Sequence, residues 1–205
     1  MSVVALISGR GSNLQALLDA GLPVSAVISN VPGAPGLAIA AQRAVPTGVV
    51  PHRDFSSREA FDDALAKEID RFSPRLVALA GFMRVLTPGF VQHYRDRMLN
   101  IHPSLLPAFP GLNTHERALA DGVKLHGCSV HFVTADLDHG PIVAQAAIPV
   151  RREDTTASLA LRVLRQEHVL YPRAVRWFLE GKLVIEGGAV NVKGNDAQFI
   201  FDDSP

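Results

Sequence analysis

One cysteine, Cys128, one tryptophan and two tyrosines stand among the 205 residues of this sequence. A single thiol excludes an internal disulfide and any multi-cysteine zinc or iron–sulfur site, and it suits a reducing compartment. Net charge is missing too, because 20 Lys and Arg balance 20 Asp and Glu. With no overall field drawing the chain to nucleic acid or to an anionic membrane, its partners must be recognised locally. The opening MSVVALISG has no basic stretch ahead of its short apolar run, and nothing later approaches the ~18 uninterrupted apolar residues of a membrane span. These absences lead to the expectation of a cytoplasmic protein that binds neither membrane nor nucleic acid.

What the sequence does contain is core material. Apolar residues make up 47%, and a chain of this length buries roughly 70% of the surface its unfolded form exposes. It needs no staple, and with no repeat, linker or low-complexity tract it reads as one domain over 1–205. Val3 to Ile7 is a short β-branched run of the kind that forms a strand buried on both faces, and SGRGSNLQALLDAG then turns helical. Apolar runs recur at Ser25 to Ile28, Val49 to Val50, Leu76 to Ala80 and Met98 to Ile101, with helical stretches between most of them. Such alternation predicts an α/β fold with a mostly parallel, twisted sheet. SSREAFDDALAKEIDRF is the clearest helix, with a capping box expected from Ser56 and Glu59 and Pro74 closing it. Past Gly127, CSVHFVT and IVAQAAIPV flank the turn DLDHGP and predict an antiparallel β-ribbon in the C-terminal half. From Thr155 a long helix follows, which Pro172 is expected to kink or restart, with Gly181 just past its end. Leu183 to Glu186 is strand-like, and the tail to residue 205 is weakly specified.

Three segments carry chemistry. SGRGSN falls at the first strand-to-helix turn, where Gly9 and Gly11 permit positive φ and close approach, and where Ser12 and Asn13 add donors at a helix N-terminus. The third glycine of a dinucleotide fingerprint is replaced by Leu14, no acidic residue ends the second strand, and no Lys follows the second glycine. A nucleotide cofactor is therefore disfavoured, leaving a site for one phosphate or a tight turn that serves only the fold. In MLNIH, Asn100 and His102 are two residues apart and so share a face at the C-terminal end of a strand, where open α/β sheets place ligands. An amide donor beside an imidazole equips a site for acyl transfer without a covalent intermediate, although a lone His at a strand end is also a common structural feature. The following PSLLPAFPG is proline-rich and stiff. Asp136 or Asp138, in the DLDHG turn, can orient His102 and favour its charged form, or can simply support the turn.

Other patterns fall away. In HGCSVH, strand alternation turns His126 and Cys128 away from Ser129 and His131, and HERAL at His115 lacks the second His of a zinc protease, so no metal is expected. Arg162, Arg165, Arg173 and Arg176, interleaved with acids, read as a solvated helix face. Glu167 lies on the apolar side of its helix and needs a partner, either a ligand or a protein group.

Together SGRGSNLQALLD, LAGFMRVLTP, NIHPSLLPAFPGLNTH, HGCSVHFVTADLDHGPIV and RQEHVLYP resemble the phosphoribosylglycinamide formyltransferase family of purine synthesis, in order over roughly residues 1–180. The resemblance implies a single-domain, Rossmann-like formyltransferase fold with a phosphate-binding half over about 1–100 and a folate and catalytic half over about 101–205. It implies transfer of the formyl group of 10-formyltetrahydrofolate, as cosubstrate, to the amine of glycinamide ribonucleotide, with no metal and no nucleotide cofactor, by a monomer or homodimer. Asn100, His102 and Asp138 match the catalytic trio. Gly11, Ser12 and Asn13 match the ribonucleotide phosphate site, and Glu167 the acid that contacts that substrate. Arg58, Met83, Arg84, Val85 and Leu86 match the folate site, joined by Asn100 and by Thr134, Ala135, Asp136, Leu137 and Asp138 in the loop over the pterin. Ser129 and His131 support the cluster.

Departures from the family pattern are Cys128 for a threonine, His139 for a small residue and a short link after the first helix. The rivals are a formyltetrahydrofolate deformylase, expected to carry an added N-terminal domain, a methionyl-tRNA formylating enzyme, expected to need a C-terminal extension and a basic surface, and a folate-binding or phospho-sugar-binding protein without turnover.

Overall fold

A computed structural model describes residues 2–202, and the last three residues of the weakly specified tail lie outside it. The chain forms two compact units, Met1–Asn100 and Ile101–Pro205. The first contains β1 (Val3–Ile7), α1 (Ser12–Asp19), β2 (Val24–Ser29), α2 (Pro35–Gln42), β3 (Thr47–Val49), α3 (Arg58–Asp70), β4 (Leu76–Leu79) and α4 (Pro88–His93). Its strands run parallel in the order β4-β1-β2-β3, and β4 also pairs with the first residues of β5 (Met98–His102). Every residue of β1 and β4 is buried. Helix-covered parallel strands have no solvated face, so these runs are apolar without alternation.

The second unit begins inside β5 and continues through α5 (Thr114–Ala120), β6 (Leu125–Phe132), β7 (Ile142–Pro149), α6 (Thr156–Leu179), β8 (Leu183–Glu186), β9 (Ala189–Val192) and β10 (Phe199–Phe201). The antiparallel pair expected past Gly127 is β6 with β7, from Leu125↔Pro149 to His131↔Ile142. It belongs to the main sheet, with β10 parallel to β7 at its edge, while a separate antiparallel ribbon joins β8 and β9. The whole is an α/β fold with a mostly parallel sheet of eight strands.

Four expectations need correction. The cap of α3 is Ser57, whose hydroxyl accepts from the Ala60 amide at 3.1 Å, so the helix starts one residue later than a Ser56–Glu59 box requires. Helix α6 does not restart at Pro172; it runs on from a Thr155–Ser158 capping box to Leu179. Proline removes one helical hydrogen bond, but the fully buried Leu170, Tyr171, Ala174 and Val175 anchor the turns on both sides of it. The described part of the tail forms β9, which turns back on β8 through Gly187 and Gly188, and β10, held by long-range pairing with β7 that no local pattern announces. Arg162 is not on a solvated face; it donates to Asp154 at 2.8 Å with only 14% of its side chain exposed.

Candidate active site

The turn after β1 is shaped by Gly11, at φ 79°, which caps α1 without any side-chain bond. A Cβ there would stand 2.6 Å from the Gly36 Cα, so glycine is required for close approach as well as for conformation. Ser12 is half-buried and Asn13 buried at the uncapped first turn of α1. Amides at such a terminus favour an anion. The same loop reaches the segment after β4, because Ser8 Oγ donates to Asn30 Oδ1 at 2.5 Å and accepts from the Met83 amide at 2.7 Å. Arg58 Nη2 donates to the carbonyls of Val85 at 3.0 Å and Leu86 at 3.3 Å, joining the start of α3 to the Met83–Leu86 stretch. In that stretch Met83 and Val85 are exposed, Arg84 is half-buried and Leu86 turns into the core. Two exposed apolar side chains on one short loop offer a surface to an apolar ligand.

Asn100 and His102 end β5 two residues apart, on one face by the strand period. In the second unit His102 is buried, and its Nε2 lies 3.0 Å from the Phe109 carbonyl oxygen. A carbonyl only accepts, so Nε2 carries a hydrogen and Nδ1 is left facing Asp138. Asp138 Oδ2 stands 3.5 Å from His102 Nδ1 and accepts the Gly111 amide at 2.8 Å, while its Oδ1 stands 3.7 Å from His131 Nε2. His131 mirrors this arrangement, its Nδ1 donating to the Phe132 carbonyl at 2.9 Å. Burial pushes the His131 imidazole below its ordinary value, against the pull of that carbonyl and of Asp138. A single buried carboxylate thus faces two imidazoles, each oriented by a main-chain carbonyl.

The backbone supplies part of this geometry under strain. Asp138 and Phe109 both have positive φ, 56° and 55°, a region that costs an ordinary residue on the order of 1–2 kcal/mol. Gly140, two residues past Asp138, cannot be replaced, since a Cβ would fall 1.8 Å from the Phe132 carbonyl oxygen. Beside the cluster is an open cleft of about 520 Å³ lined by Pro110, Gly111, Ala135, Asp136, Leu137 and His139. Of the two candidate aspartates, then, Asp138 joins the histidines and Asp136 lines the cleft. Thr134 closes its own turn by donating to the Asp136 carbonyl at 3.2 Å.

Sequence reasoning missed the carbonyl of Phe109 and the amide of Gly111, which have no side-chain signature. It also missed a histidine pair behind them. His126 is fully buried, with Nε2 3.1 Å from His115 Nδ1 and its own Nδ1 without a partner. Burial pushes His126 down to about 4, helped by the neighbouring His115 and His102. Among the described residues no cluster suits a metal ion, and no helix is long and apolar enough to cross a membrane. Glu167 is buried on α6; burial raises the Cys128 thiol well above its ordinary value, and the Glu167 carboxylate adds to the effect.

Residues 1–175 match the model of the formyl transferase family. The chain belongs to that family. It is 48% identical over 200 residues to a phosphoribosylglycinamide formyltransferase of Escherichia coli (strain K12), covering 95% of this chain and 94% of the relative. It is 45% identical over 195 residues to the human trifunctional purine biosynthetic protein adenosine-3, covering 92% of this chain and 19% of that protein. Among solved structures, a phosphoribosylglycinamide formyltransferase from Anaplasma phagocytophilum superposes with a TM-score of 0.94 at 43% identity, covering 99% of each chain. This formyltransferase therefore has its family's fold along nearly its whole length, and its buried His–Asp–His cluster lies within the matched region.

Proposed function

We propose that this formyltransferase moves the formyl group of 10-formyltetrahydrofolate to the amine of glycinamide ribonucleotide. The observation that carries the reading is the buried Asp138 carboxylate facing the Nδ1 of a His102 whose Nε2–H is already committed to the Phe109 carbonyl. That arrangement is complete when the ring holds protons on both nitrogens, and a cationic imidazolium stabilises the oxyanion of a tetrahedral intermediate. The amine nitrogen attacks the formyl carbon and the carbonyl electrons move to its oxygen. The Asn100 amide donates to that oxygen, and the His102 imidazolium places positive charge beside it. Collapse breaks the bond to folate N10; the His102 imidazolium gives N10 the hydrogen of its Nδ1, which at 3.5 Å from Asp138 is held more loosely than the Nε2 hydrogen, and the attacking ammonium returns a proton to that nitrogen. No covalent adduct with the protein is needed.

The remaining roles are those that the resemblance to the family implies. Gly11, Ser12 and Asn13 take the ribonucleotide phosphate at the uncapped end of α1, and Glu167 contacts the same substrate. Met83, Arg84, Val85 and Leu86 line the folate site, Arg58 takes the carboxylates at the folate's far end, and Thr134 to Asp138 cover the pterin. His131 holds the second side of Asp138, and Ser129 supports the cluster from β6.

The experiment follows tetrahydrofolate formation from 10-formyltetrahydrofolate by absorbance, with and without glycinamide ribonucleotide. Product that depends on the nucleotide supports the proposal, and an equal rate of formate release without it makes the chain a deformylase.

A further inference from the structure

The loop that presents Phe109 and Gly111 is tied down almost residue by residue, and one side chain outside the cluster completes the ties. Thr114 Oγ1 donates to the Pro103 carbonyl at 2.7 Å, and Ser104 Oγ donates to the Ala108 carbonyl at 2.6 Å. Arg117 Nη1 donates to the Pro110 carbonyl at 2.6 Å. At the centre Ser129 Oγ donates to the Ser104 carbonyl at 2.7 Å and accepts the Leu106 amide at 3.0 Å. Its other lone pair takes the Gln145 Nε2 donor at 2.9 Å, and that same nitrogen gives its second hydrogen to the Leu106 carbonyl, also at 2.9 Å. A hydroxyl has one donor and two acceptor sites and an amide nitrogen has two hydrogens, so the network is saturated. Ser104 and Ser129 are fully buried. A saturated buried network has one low-energy arrangement, because any shift strands a polar group away from water.

We propose that Gln145 is a positioning residue for His102. Its amide, with Ser129, grips both backbone groups of Leu106 and so fixes the loop whose Phe109 carbonyl selects the His102 tautomer and whose Gly111 amide seats Asp138. The catalytic consequence rests on the reading of His102 as the proton-handling group. The positioning itself does not.

The test uses the full chain and Gln145→Met, which keeps length and volume but removes both donors. Imidazole nitrogen and carbon NMR of the ligand-free protein reports the His102 tautomer without any turnover. Wild type is expected to hold His102 as the Nε2–H form when neutral, and Gln145→Met to give a mixture of tautomers. In the transferase assay kcat is expected to fall about tenfold to a hundredfold, the scale of a small misplacement of a catalytic group, with KM for both substrates little changed. Gln198→Met is the control. Gln198 Nε2 donates to the Val143 and Val190 carbonyls at 2.7 and 2.9 Å, so its loss lowers Tm without touching the loop and leaves the His102 resonances in place.

If His102 in Gln145→Met matches wild type, or matches Gln198→Met at equal loss of Tm, the proposal is overturned. Should Gln145→Met not fold, Ser129→Ala is read in the same way. A wild type without transferase activity whose His102 still changes tautomer in Gln145→Met would sink the functional reading and leave the positioning role standing.

Discussion

At the scale of single residues, the site turns on where hydrogens are fixed. The Phe109 carbonyl commits one nitrogen of His102, and Asp138 stands at the other. His102→Ala is expected to lower kcat by about 10²–10⁴-fold, the range of a positioned general acid or base, and to leave nucleotide binding by calorimetry nearly intact. Asp138→Asn separates charge from shape. Asparagine tolerates the positive φ of 56° and still offers an oxygen to the Gly111 amide, so Tm should hold while kcat falls about a hundredfold. A full rate in that variant would remove the carboxylate charge from the account. Gly11→Ala acts through the backbone. Both its φ of 79° and the Gly36 Cα at 2.6 Å oppose a methyl group, so Tm should drop about 3–8 °C and KM for the nucleotide should rise.

At the scale of elements, the start of α3 gives a clean comparison. Ser57→Ala should cost about 1 kcal/mol in denaturant unfolding, because the Ala60 amide loses its partner, while Ser56→Ala should change stability by less than about 0.5 kcal/mol. The neighbouring serines look equivalent in sequence, and only the turn into the helix decides between them. β1 was legible to the residue, since a buried parallel strand leaves an unbroken apolar run. β10 was not, because its three residues are held by pairing with β7, which lies far away in sequence. The expected restart at Pro172 failed for a related reason, as burial of the flanking turns outweighs the local rule. The candidate site divides in the same way. Asn100 and His102 could be read from strand period, and Asp138 only as one of two turn aspartates. The contributions of Phe109 and Gly111 come from main-chain atoms that any residue would carry, and Gln145 reads as one polar position in an apolar strand.

At the scale of the whole molecule, several histidines lowered by burial tie stability to pH. His126 takes up a proton at about 4 when folded, against an ordinary value of 6.5. Between those values the unfolded chain binds more protons, so stability rises with pH. It is fully present above about pH 6.5 and is lost as pH falls toward 4, by no more than about 3 kcal/mol from this group. Burial lowers His115, His131 and His168 as well, and their contributions have the same sign. His126→Gln keeps a donor for His115 and cannot titrate, so its Tm should fall less steeply than wild type between pH 6.5 and 4. Parallel slopes would mean that the acid sensitivity arises elsewhere.

The fate of the formyl carbon tests the central claim most directly. With a carbon-13 label in the formyl group of the donor, NMR of the reaction with glycinamide ribonucleotide should place the label in the N-formyl amide of the nucleotide, at a rate that His102→Ala lowers about 10²–10⁴-fold. Label recovered as free formate, or label transfer at an undiminished rate in His102→Ala, would contradict it.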